Sequence, residues 1–237
     1  MDIVNKTVLI TGGALRIGNE ICRAFAEAGA HVVIHCNKSS HQAVVLLEEL
    51  GGTAAGHSIY QCDLSDFETI PELFQQVGSI DVLINNASTF VMGSLADEDF
   101  DDAQFQFDIN YWAPVKLMRA FQSQSIDSGC IINLLDQRID KVDPIGGSYP
   151  ISKKALHDAT LQAAVQWAPR IRVNGIAPGP VIAPEGLKSS IHQARIDATP
   201  LKRRISLQDL TDSCLFLAKN ESITGNIIYV DCGEHLI

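Results

Sequence analysis

Three residues within one short stretch of this sequence could carry out proton chemistry. Tyr149 and Lys153 lie four residues apart where a helix is predicted to begin, and Asp136 stands thirteen residues before the tyrosine. Residues four apart share one face of a helix. We therefore expect the Lys153 ammonium to lower the pKa of the Tyr149 phenol from its usual value of about 10. The phenol then becomes a proton donor that works near neutral pH.

Two interpretations of Asp136 are open from the residues alone. If partial burial raises its pKa, Asp136 is a carboxylic acid that can donate a proton together with Tyr149. Alternatively, it is a carboxylate at the end of a strand, which caps the following loop or pairs with Arg138.

A second stretch, "TGGALRIG" at residues 11–18, could bind the phosphates of a dinucleotide. It follows a short apolar run, and Gly12 permits a tight turn there. Gly18 lets the next helix pack closely, so that the N–H groups at the start of the helix meet a phosphate. The alternative is an ordinary turn between a strand and a helix.

The next apolar run ends in "HCNKSS", residues 35–40, which contains no acidic residue. An acidic residue at this point would bind a free ribose 2′-hydroxyl. Lys38 and Ser39 could instead bind a 2′-phosphate, with help from His35 or Asn37. The stretch therefore favours NADP over NAD, unless it is only a solvated loop that happens to carry a lysine.

Two later strand ends carry further candidates for cofactor contacts. Asp63 could accept a hydrogen bond from the adenine amino group, or it could cap the helix that "DLSD" precedes. Asn86 and Ala87 would lie under the ribose beside the nicotinamide.

The elements that must position these residues alternate between strand and helix along the whole chain. Apolar runs predict strands at 6–11, 31–36, 58–64, 81–88, 129–136, 171–178 and 225–231. Helical spacing predicts helices at 16–28, 40–50, 66–77, 97–122, from Tyr149 to Trp167, and at 206–219, with a Pro- and Gly-rich loop at 178–187. Strands that are apolar on both faces indicate a parallel sheet. We predict an α/β, single-domain Rossmann fold, a doubly wound parallel sheet of about seven strands with helices on both faces.

The composition of the 237 residues narrows the class of protein. The chain is 46% hydrophobic and carries a net charge of −10, which argues against nucleic acid or an anionic membrane as a partner. We see neither a signal peptide nor a run long enough to span a bilayer. The six cysteines form no C-x-x-C pair and are read as reduced thiols, which predicts a cytoplasmic protein. The seven histidines show no metal-ligand pattern, so no metal is expected.

Taken together, the motifs resemble the short-chain dehydrogenase/reductase family over the whole chain. "TGGALRIG", "NNAS", Asn110, "YPISK", "RVNGIAPGP" and "ITGNIIYVDCG" stand in the order and spacing of that family. Arg16 replaces the middle glycine of the usual glycine loop, and Cys232 replaces a glycine near the end. The resemblance implies that Asn110 holds a water linking Lys153 to solvent, and that the protein is a homotetramer.

Arg16, "HCNKS", "NNASTF" and Asp136 make the chain similar to the pteridine reductase branch, which includes the dihydromonapterin reductases. In that branch an aspartate replaces the catalytic serine of the family, and the aromatic corresponding to Phe90 stacks on the pterin. A ring imine offers a basic nitrogen rather than a carbonyl oxygen, and a carboxylic acid suits that nitrogen better than a hydroxyl does. Ser88 matches a position that contacts the substrate in that branch. The alternative for Phe90 is that its ring only packs within its own loop.

We therefore predict one domain over 1–237 that uses NADP(H) to reduce a pterin or folate, such as dihydromonapterin, dihydrobiopterin or dihydrofolate. A substrate loop at about 178–205, with a lid from Pro180 to Leu201, would select the substrate. The predicted catalytic residues are Asp136, Tyr149, Lys153 and Asn110. The predicted substrate contacts are Arg16, Ser88, Phe90, Asp136 and Tyr149. The predicted cofactor contacts are Gly12, Arg16, Ile17, Gly18, His35, Asn37, Lys38, Ser39, Asp63, Leu64, Asn86, Ala87, Ser88, Tyr149, Lys153, Pro178 and Gly179.

Two alternatives remain at this point. One keeps the enzyme class and changes the substrate to a carbonyl or keto-acyl compound, against which Asp136 argues. The other is a non-catalytic sensor or scaffold that binds a dinucleotide, against which the intact set of Tyr149, Lys153 and Asn110 argues.

Overall fold

Short runs of β-branched and aliphatic residues form a parallel sheet in this computed structural model, which describes residues 1–183 and 188–237. The strands are β1 (Thr7–Ile10), β2 (His31–Cys36), β3 (Ser58–Gln61), β4 (Val82–Asn85), β5 (Gly129–Leu134), β6 (Ile171–Pro178) and β7 (Ile227–Val230). They follow the order β3-β2-β1-β4-β5-β6-β7, and every neighbouring pair is parallel. The predicted doubly wound fold is confirmed.

Helices cover both faces of the sheet. They are α1 (Arg16–Glu27), α2 (Ser40–Glu49), α3 (Thr69–Val77), α4 (Phe100–Phe107), α5 (Ala113–Gln122), α6 (Ser148–Gln166), α7 (Ser189–Ala198) and α8 (Leu207–Lys219). Apolar side chains of α1, α2 and α8 pack in one core cluster, and those of α3, α5 and α6 pack in a second cluster on the opposite face. Because both faces are covered, the central strands β4 and β5 are buried at every residue.

The order of the strands reverses between β1 and β4. From β1 the chain builds outward through β2 and β3, and it then returns to place β4 on the other side of β1. The carboxyl ends of β1 and β4 therefore open a crevice, which is where ligands bind in sheets of this kind.

Three stretches differ from the sequence-based expectation. The helix predicted at 97–122 contains a π-helical segment at Asp108–Trp112 between α4 and α5, and the helix predicted at 66–77 begins only at Thr69. The predicted substrate loop at 178–205 contains the helix α7. Residues 184–187 of that loop and of its lid lie outside the described residues.

Two further findings concern the residues that the structure describes. None of the described helices combines the length and the apolar character that crossing a bilayer requires. Within 1–183 and 188–237, no group of three or more His, Cys, Asp or Glu side chains could hold a metal ion.

Candidate active site

The glycine loop forms one wall of the crevice. Gly12 has a φ of +62°, in the left-handed region that favours glycine. A Cβ on Gly18 would stand 2.1 Å from the carbonyl oxygen of Gly12, so only glycine lets α1 pack this close to the loop. The predicted roles of these two glycines in the turn and in helix packing are confirmed. Arg16, the first residue of α1, also has a positive φ of +54° and is exposed.

Asn86, at the end of β4, ties the two sides of the crevice together. Its side chain donates hydrogen bonds to the carbonyl oxygens of Thr11 (2.8 Å) and Gly12 (3.2 Å). The backbone N–H groups of Asn86 and Ala87 both donate to Thr11 Oγ1 at 2.9 Å. Thr11 was not among the predicted residues, although a hydroxyl directly before the glycine loop is the signal that could have identified it.

His35 holds the glycine loop from the side of β2. Its Nδ1 accepts a hydrogen bond from Gly12 N at 3.2 Å, and its Nε2 lies 3.3 Å from the carbonyl oxygen of Cys62. The side chain is 2% exposed, and burial lowers its pKa to about 4. The imidazole is therefore neutral near pH 7 and already bonded on both nitrogens. The predicted help of His35 in binding a 2′-phosphate stays a prediction.

An open cleft of about 410 Å³ runs along these residues. Most of the predicted cofactor contacts line it, namely Gly12, Arg16, Ile17, Gly18, His35, Asn37, Lys38, Ser39, Asp63, Leu64, Asn86, Ala87 and Ser88. Asn37 and Lys38 are exposed at its rim, where Lys38 could reach an anion. The volume lies in the range of pockets that bind small molecules and cofactors. The glycine loop, a rim lysine and a rim serine fit a phosphorylated dinucleotide.

Asp63 already makes local contacts at the end of β3. Its Oδ1 accepts from Ser65 N (2.9 Å) and from Ser65 Oγ (2.7 Å), and these bonds lower the pKa of the carboxyl group. Asp63 therefore closes the turn that leads towards α3. Its contact with adenine stays a prediction.

Pro178 and Gly179 stand at the carboxyl end of β6. Gly179 N donates to the carbonyl oxygen of Val230, and a Cβ on this glycine would lie 2.9 Å from Asp231 Cα. Neither residue lines the cleft described above. Their contact with the cofactor stays a prediction.

Asp136 and Tyr149 meet at the carboxyl end of β5. The Tyr149 hydroxyl donates to Asp136 Oδ2 at 3.2 Å, so the sequence pattern correctly predicted that the two groups lie together. Arg138 binds the same carboxylate, donating from N (2.9 Å) and Nε (2.8 Å) to Oδ1 and from Nη2 (2.9 Å) to Oδ2. Asp136 thus caps the 3₁₀ turn Gln137–Asp140 and pairs with Arg138, as the alternative interpretation expected.

The charge states of these groups differ from those expected. Burial alone would raise the pKa of Asp136, but the hydrogen bonds and charge of Arg138 outweigh burial and leave it below the ordinary value. Desolvation of the half-buried Tyr149, followed by the negative charge of Asp136, raises the pKa of the phenol. The pKa of Asp136 is thus shifted in the direction that the pairing with Arg138 implies, opposite to the interpretation as a proton donor. The pKa of Tyr149 is shifted upward, opposite to the expected lowering by Lys153.

Lys153 lies on the same helix, one turn after Tyr149, and is 2% exposed. Its ammonium donates to the carbonyl oxygen of Leu134 at 2.8 Å. Burial lowers its pKa to about 8, against the opposing effect of the Asp136 charge. In this arrangement Lys153 holds the end of β5 against α6.

Asn110 lies in the π-helical segment between α4 and α5, a kind of distortion that is frequent at functional sites. Its Oδ1 accepts from Ser88 Oγ and from Thr89 N, both at 2.9 Å. Its Nδ2 donates to the carbonyl oxygen of Thr89 (2.9 Å) and to Ser152 Oγ (3.2 Å). Asn110 therefore joins the loop after β4 to α6. A water bound to its side chain would have to replace one of these contacts.

The two remaining predicted substrate contacts are Phe90, which touches Tyr149, and Arg16, which lines the cleft. Phe90 meets the Tyr149 ring edge to face, with centroids 4.9 Å apart, and is 38% exposed. Arg16 Nη2 donates to the carbonyl oxygen of Ala183 at 3.0 Å, which links the glycine loop to the start of the predicted substrate loop. Contact of either side chain with a pterin stays a prediction.

Glu98 is a site residue that the sequence pattern does not indicate. Its carboxylate accepts from Ser148 N (2.9 Å) and Ser148 Oγ (2.6 Å), directly before Tyr149. Fifty residues separate the partners, and nothing in the local pattern signals the contact.

These features define a dinucleotide-binding oxidoreductase site, and comparisons with known proteins agree. Residues 13–235 match the family model described as "Enoyl-(Acyl carrier protein) reductase". This chain belongs to the short-chain dehydrogenase/reductase family, and it is an oxidoreductase.

Individual relatives differ in the substrates that their names state. The structure of FolM Alternative dihydrofolate reductase 1 from Brucella suis, in complex with NADP, is 33% identical with a TM-score of 0.94, over 100% of this chain and 97% of that one. Pteridine reductase 1 of Leishmania tarentolae is 29% identical over 96% of both chains. The 3-oxoacyl-[acyl-carrier-protein] reductase FabG of Staphylococcus epidermidis (strain ATCC 35984) is 27% identical over 98% of this chain and 100% of the relative.

Proposed function

We propose that this protein is an NADPH-dependent reductase of a pterin, at the level of a dihydropterin or dihydrofolate. The observation that carries the proposal is the convergence of Asp136 and Tyr149, 3.2 Å apart, after the carboxyl end of the central strand β5. The similarity to FolM and to pteridine reductase 1 supports the same substrate class.

The cofactor is NADP(H). Structures similar to this one are complexes with NADP or NADPH, and the second strand ends in the exposed Lys38 and in Ser39 rather than in an acidic residue. The helix N-terminus and the glycine loop would hold the pyrophosphate, and Lys38 would face the 2′-phosphate. When bound, NADPH supplies the hydride.

Residues of the chain supply the proton, bind the heterocycle and position the elements of the site. Tyr149 holds a proton on its hydroxyl and is the group that can release it to a ring nitrogen. Phe90 offers an exposed aromatic face next to Tyr149, where a flat heterocycle can stack. Lys153, Asn110 and Asn86 fix α6, the loop after β4 and the glycine loop relative to one another.

A carbonyl or keto-acyl reductase is the second candidate. The similarity to 3-oxoacyl-[acyl-carrier-protein] reductase and the description of the matching family model favour it. The charged Asp136, in the position where a carbonyl reductase would carry a hydroxyl donor, argues against it, because a carboxylate repels a carbonyl oxygen. A non-catalytic sensor fits less well, because Tyr149, Lys153 and Asn110 are all present.

The experiment is a comparison of NADPH oxidation with a panel of dihydropterins, dihydrofolate, a simple ketone and a 3-ketoacyl thioester. We expect the highest kcat/KM with a member of the pterin class. Tyr149→Phe should lose about 10²- to 10⁴-fold in kcat, whereas Tyr60→Phe on β3 should not. Preference for the thioester would contradict the proposal, and unchanged turnover by Tyr149→Phe would contradict the role of the phenol.

The homotetramer and the cytoplasmic location also stay predictions. Light scattering coupled to size-exclusion chromatography tests the tetramer directly.

A further inference from the structure

Asp136 is saturated with hydrogen bonds. A carboxylate offers about four lone-pair positions, and here three are taken by Arg138 and one by Tyr149. The Arg138 side chain donates to both oxygens of the carboxylate, which is the strong bidentate form of an arginine–carboxylate pair. Because the residue is only 8% exposed, these contacts are shielded from solvent.

Arg138 is itself fixed from two further directions. Its Nη1 donates to Asp143 Oδ2 at 2.8 Å, and its guanidinium carbon lies 5.1 Å from the centroid of the Tyr149 ring. The side chains of Arg138 and Asp143 are 20% and 13% exposed. Arg138 therefore connects the end of β5, the loop before α6 and the tyrosine that α6 carries.

We propose that Arg138 is a positioning residue that keeps Asp136 an ionised hydrogen-bond acceptor, so that Asp136 recognises an N–H group of the substrate while Tyr149 alone donates the proton. The weakest of the four bonds, the 3.2 Å contact from Tyr149, is the one that a substrate N–H replaces. The part of the inference that concerns the substrate rests on the proposed function. The part that concerns the charge of Asp136 does not.

The charged and titratable groups around Asp136 come from three elements. Arg138 acts from the 3₁₀ turn, Tyr149 and Lys153 from α6, and Arg195 from α7, while Asp143 faces Arg138 from the following loop. Of the three cations, only Arg138 bonds to the carboxylate directly. If Arg138 were removed, burial would dominate and the carboxyl group would bind a proton more readily.

The proton balance follows from this assignment. One proton leaves the Tyr149 oxygen for the ring nitrogen, and water returns a proton to the phenolate. Asp136 neither gains nor loses a proton in the cycle. A substrate without an N–H group near the reacting carbon, such as a simple ketone, gains nothing from the carboxylate.

The first arm of the test uses the cofactor-free protein. Carbon-13 NMR of the aspartate carboxyl groups, with Asp136→Asn to assign the signal, follows the titration of Asp136. We expect Asp136 to titrate below the ordinary range of aspartate. Its midpoint should rise by at least about one pH unit in Arg138→Gln and by less in Arg138→Lys. It should not move in Arg23→Gln, which removes a partly exposed ion pair between α1 and α2. A midpoint near neutral pH in the wild type would overturn the inference.

The second arm measures the pH dependence of pterin reduction. With the carboxylate as acceptor, Arg138→Gln should raise KM by about tenfold to a hundredfold, move the acidic limb of kcat/KM to higher pH, and be partly rescued by Arg138→Lys. If Asp136 were instead the proton donor, Arg138→Gln would raise kcat below neutral pH, which would overturn the inference. A third outcome is that the NMR titration is as expected but the protein reduces no pterin. That outcome would overturn both the proposed function and the recognition of a substrate N–H group. It would still support the assignment of Asp136 as an ionised carboxylate.

Discussion

At the scale of single residues, Lys153 shows how the site constrains stability. It is a buried cation, and burial lowers its pKa from 10.5 to about 8. Below pH 8 it is charged in both the folded and the unfolded chain, and its desolvation works against folding. Between about pH 8 and about 10.5 the folded state has released this proton while the unfolded chain still binds it. The contribution of Lys153 to the free energy of unfolding therefore rises with pH through that window.

Replacing this buried charge should stabilise the protein and inactivate it. We expect Lys153→Met to raise the free energy of unfolding at neutral pH by roughly 1–3 kcal/mol, because the lost hydrogen bond to Leu134 offsets part of the gain. Urea unfolding at several pH values measures this, and the exposed Lys219→Met serves as the control. A less stable variant whose pH dependence between 8 and 10.5 matches the wild type would show that the buried charge is not the cause.

The meeting of Asp136 and Tyr149 could be predicted from the sequence, but the directions in which their pKa values shift could not. The spacing of Asp136, Tyr149 and Lys153 led to the correct prediction that the first two meet. Whether a carboxyl group is charged depends on the balance between burial and a neighbouring cation, and that balance is set by three-dimensional contacts. Arg138, two residues after Asp136, was visible in the sequence, yet only the structure shows that it reaches both carboxylate oxygens.

At the scale of elements, α6 is the helix that carries Tyr149, and it begins without a capping side chain of its own. Gly147 stands at its N-cap position. The Glu98 carboxylate, from the loop after β4, accepts from the first N–H of the helix instead, and Gln106 Nε2 holds it in place at 2.6 Å. An anion at this end of a helix is stabilised by the N–H groups and the helix dipole. Glu98 therefore links the loop that carries Phe90 to the helix that carries Tyr149.

Removing this cap should weaken both the helix start and the placement of Tyr149. We expect Glu98→Ala to lower the free energy of unfolding by about 1–2 kcal/mol and to lower kcat, and Glu98→Gln to cost less because it keeps one acceptor. Urea unfolding and kcat are the measurements. The control variant is Glu48→Ala, which removes an exposed carboxylate of α2. Equal effects at the two positions would argue against a specific cap.

Elements whose sequences show a strong apolar pattern were predicted well. Elements whose structure depends mainly on tertiary contacts were not. The predicted bounds agree closely with the structure for most strands and for α1, α2, α6 and α8, whose sequences show apolar runs or apolar residues at helical spacing. α7 follows a Pro- and Gly-rich stretch and buries only His192 and Ile196, so its sequence carries little of the apolar pattern that predicts a helix. The π-helical segment around Asn110 adds a local change of register that apolar spacing does not reveal.

At the scale of the whole molecule, an anionic cofactor must bind a chain with a net charge of −10. The electrostatic field of the negatively charged chain opposes the binding of an anion. The affinity must therefore come from hydrogen-bond donors and cations close to the cofactor. Lys38 and Arg16 are the two cations among the residues that line the cleft. Lys38 also lies close enough to Asp63 to lower the pKa of its carboxyl group electrostatically.

Cofactor preference should appear as a difference in thermal stability. A ligand at 100 times its Kd stabilises the folded state by about 2.7 kcal/mol, which raises Tm by about 5–10 °C for a chain of this size. We expect NADP⁺ to raise Tm by more than NAD⁺ at equal concentration. The difference should disappear in Lys38→Ala and persist in Lys219→Ala. A larger shift with NAD⁺ would contradict the cofactor assignment.

The most direct test of the central claim is a crystal structure of the protein with NADP⁺ and a bound pterin. We expect a ring nitrogen within hydrogen-bonding distance, about 2.6–3.2 Å, of the Tyr149 hydroxyl. We also expect an N–H group of the same ring within that distance of an Asp136 oxygen that Arg138 still binds. A pterin bound with its ring beyond the reach of both side chains, or an Asp136 that has left Arg138 and turned into solvent, would contradict the central claim.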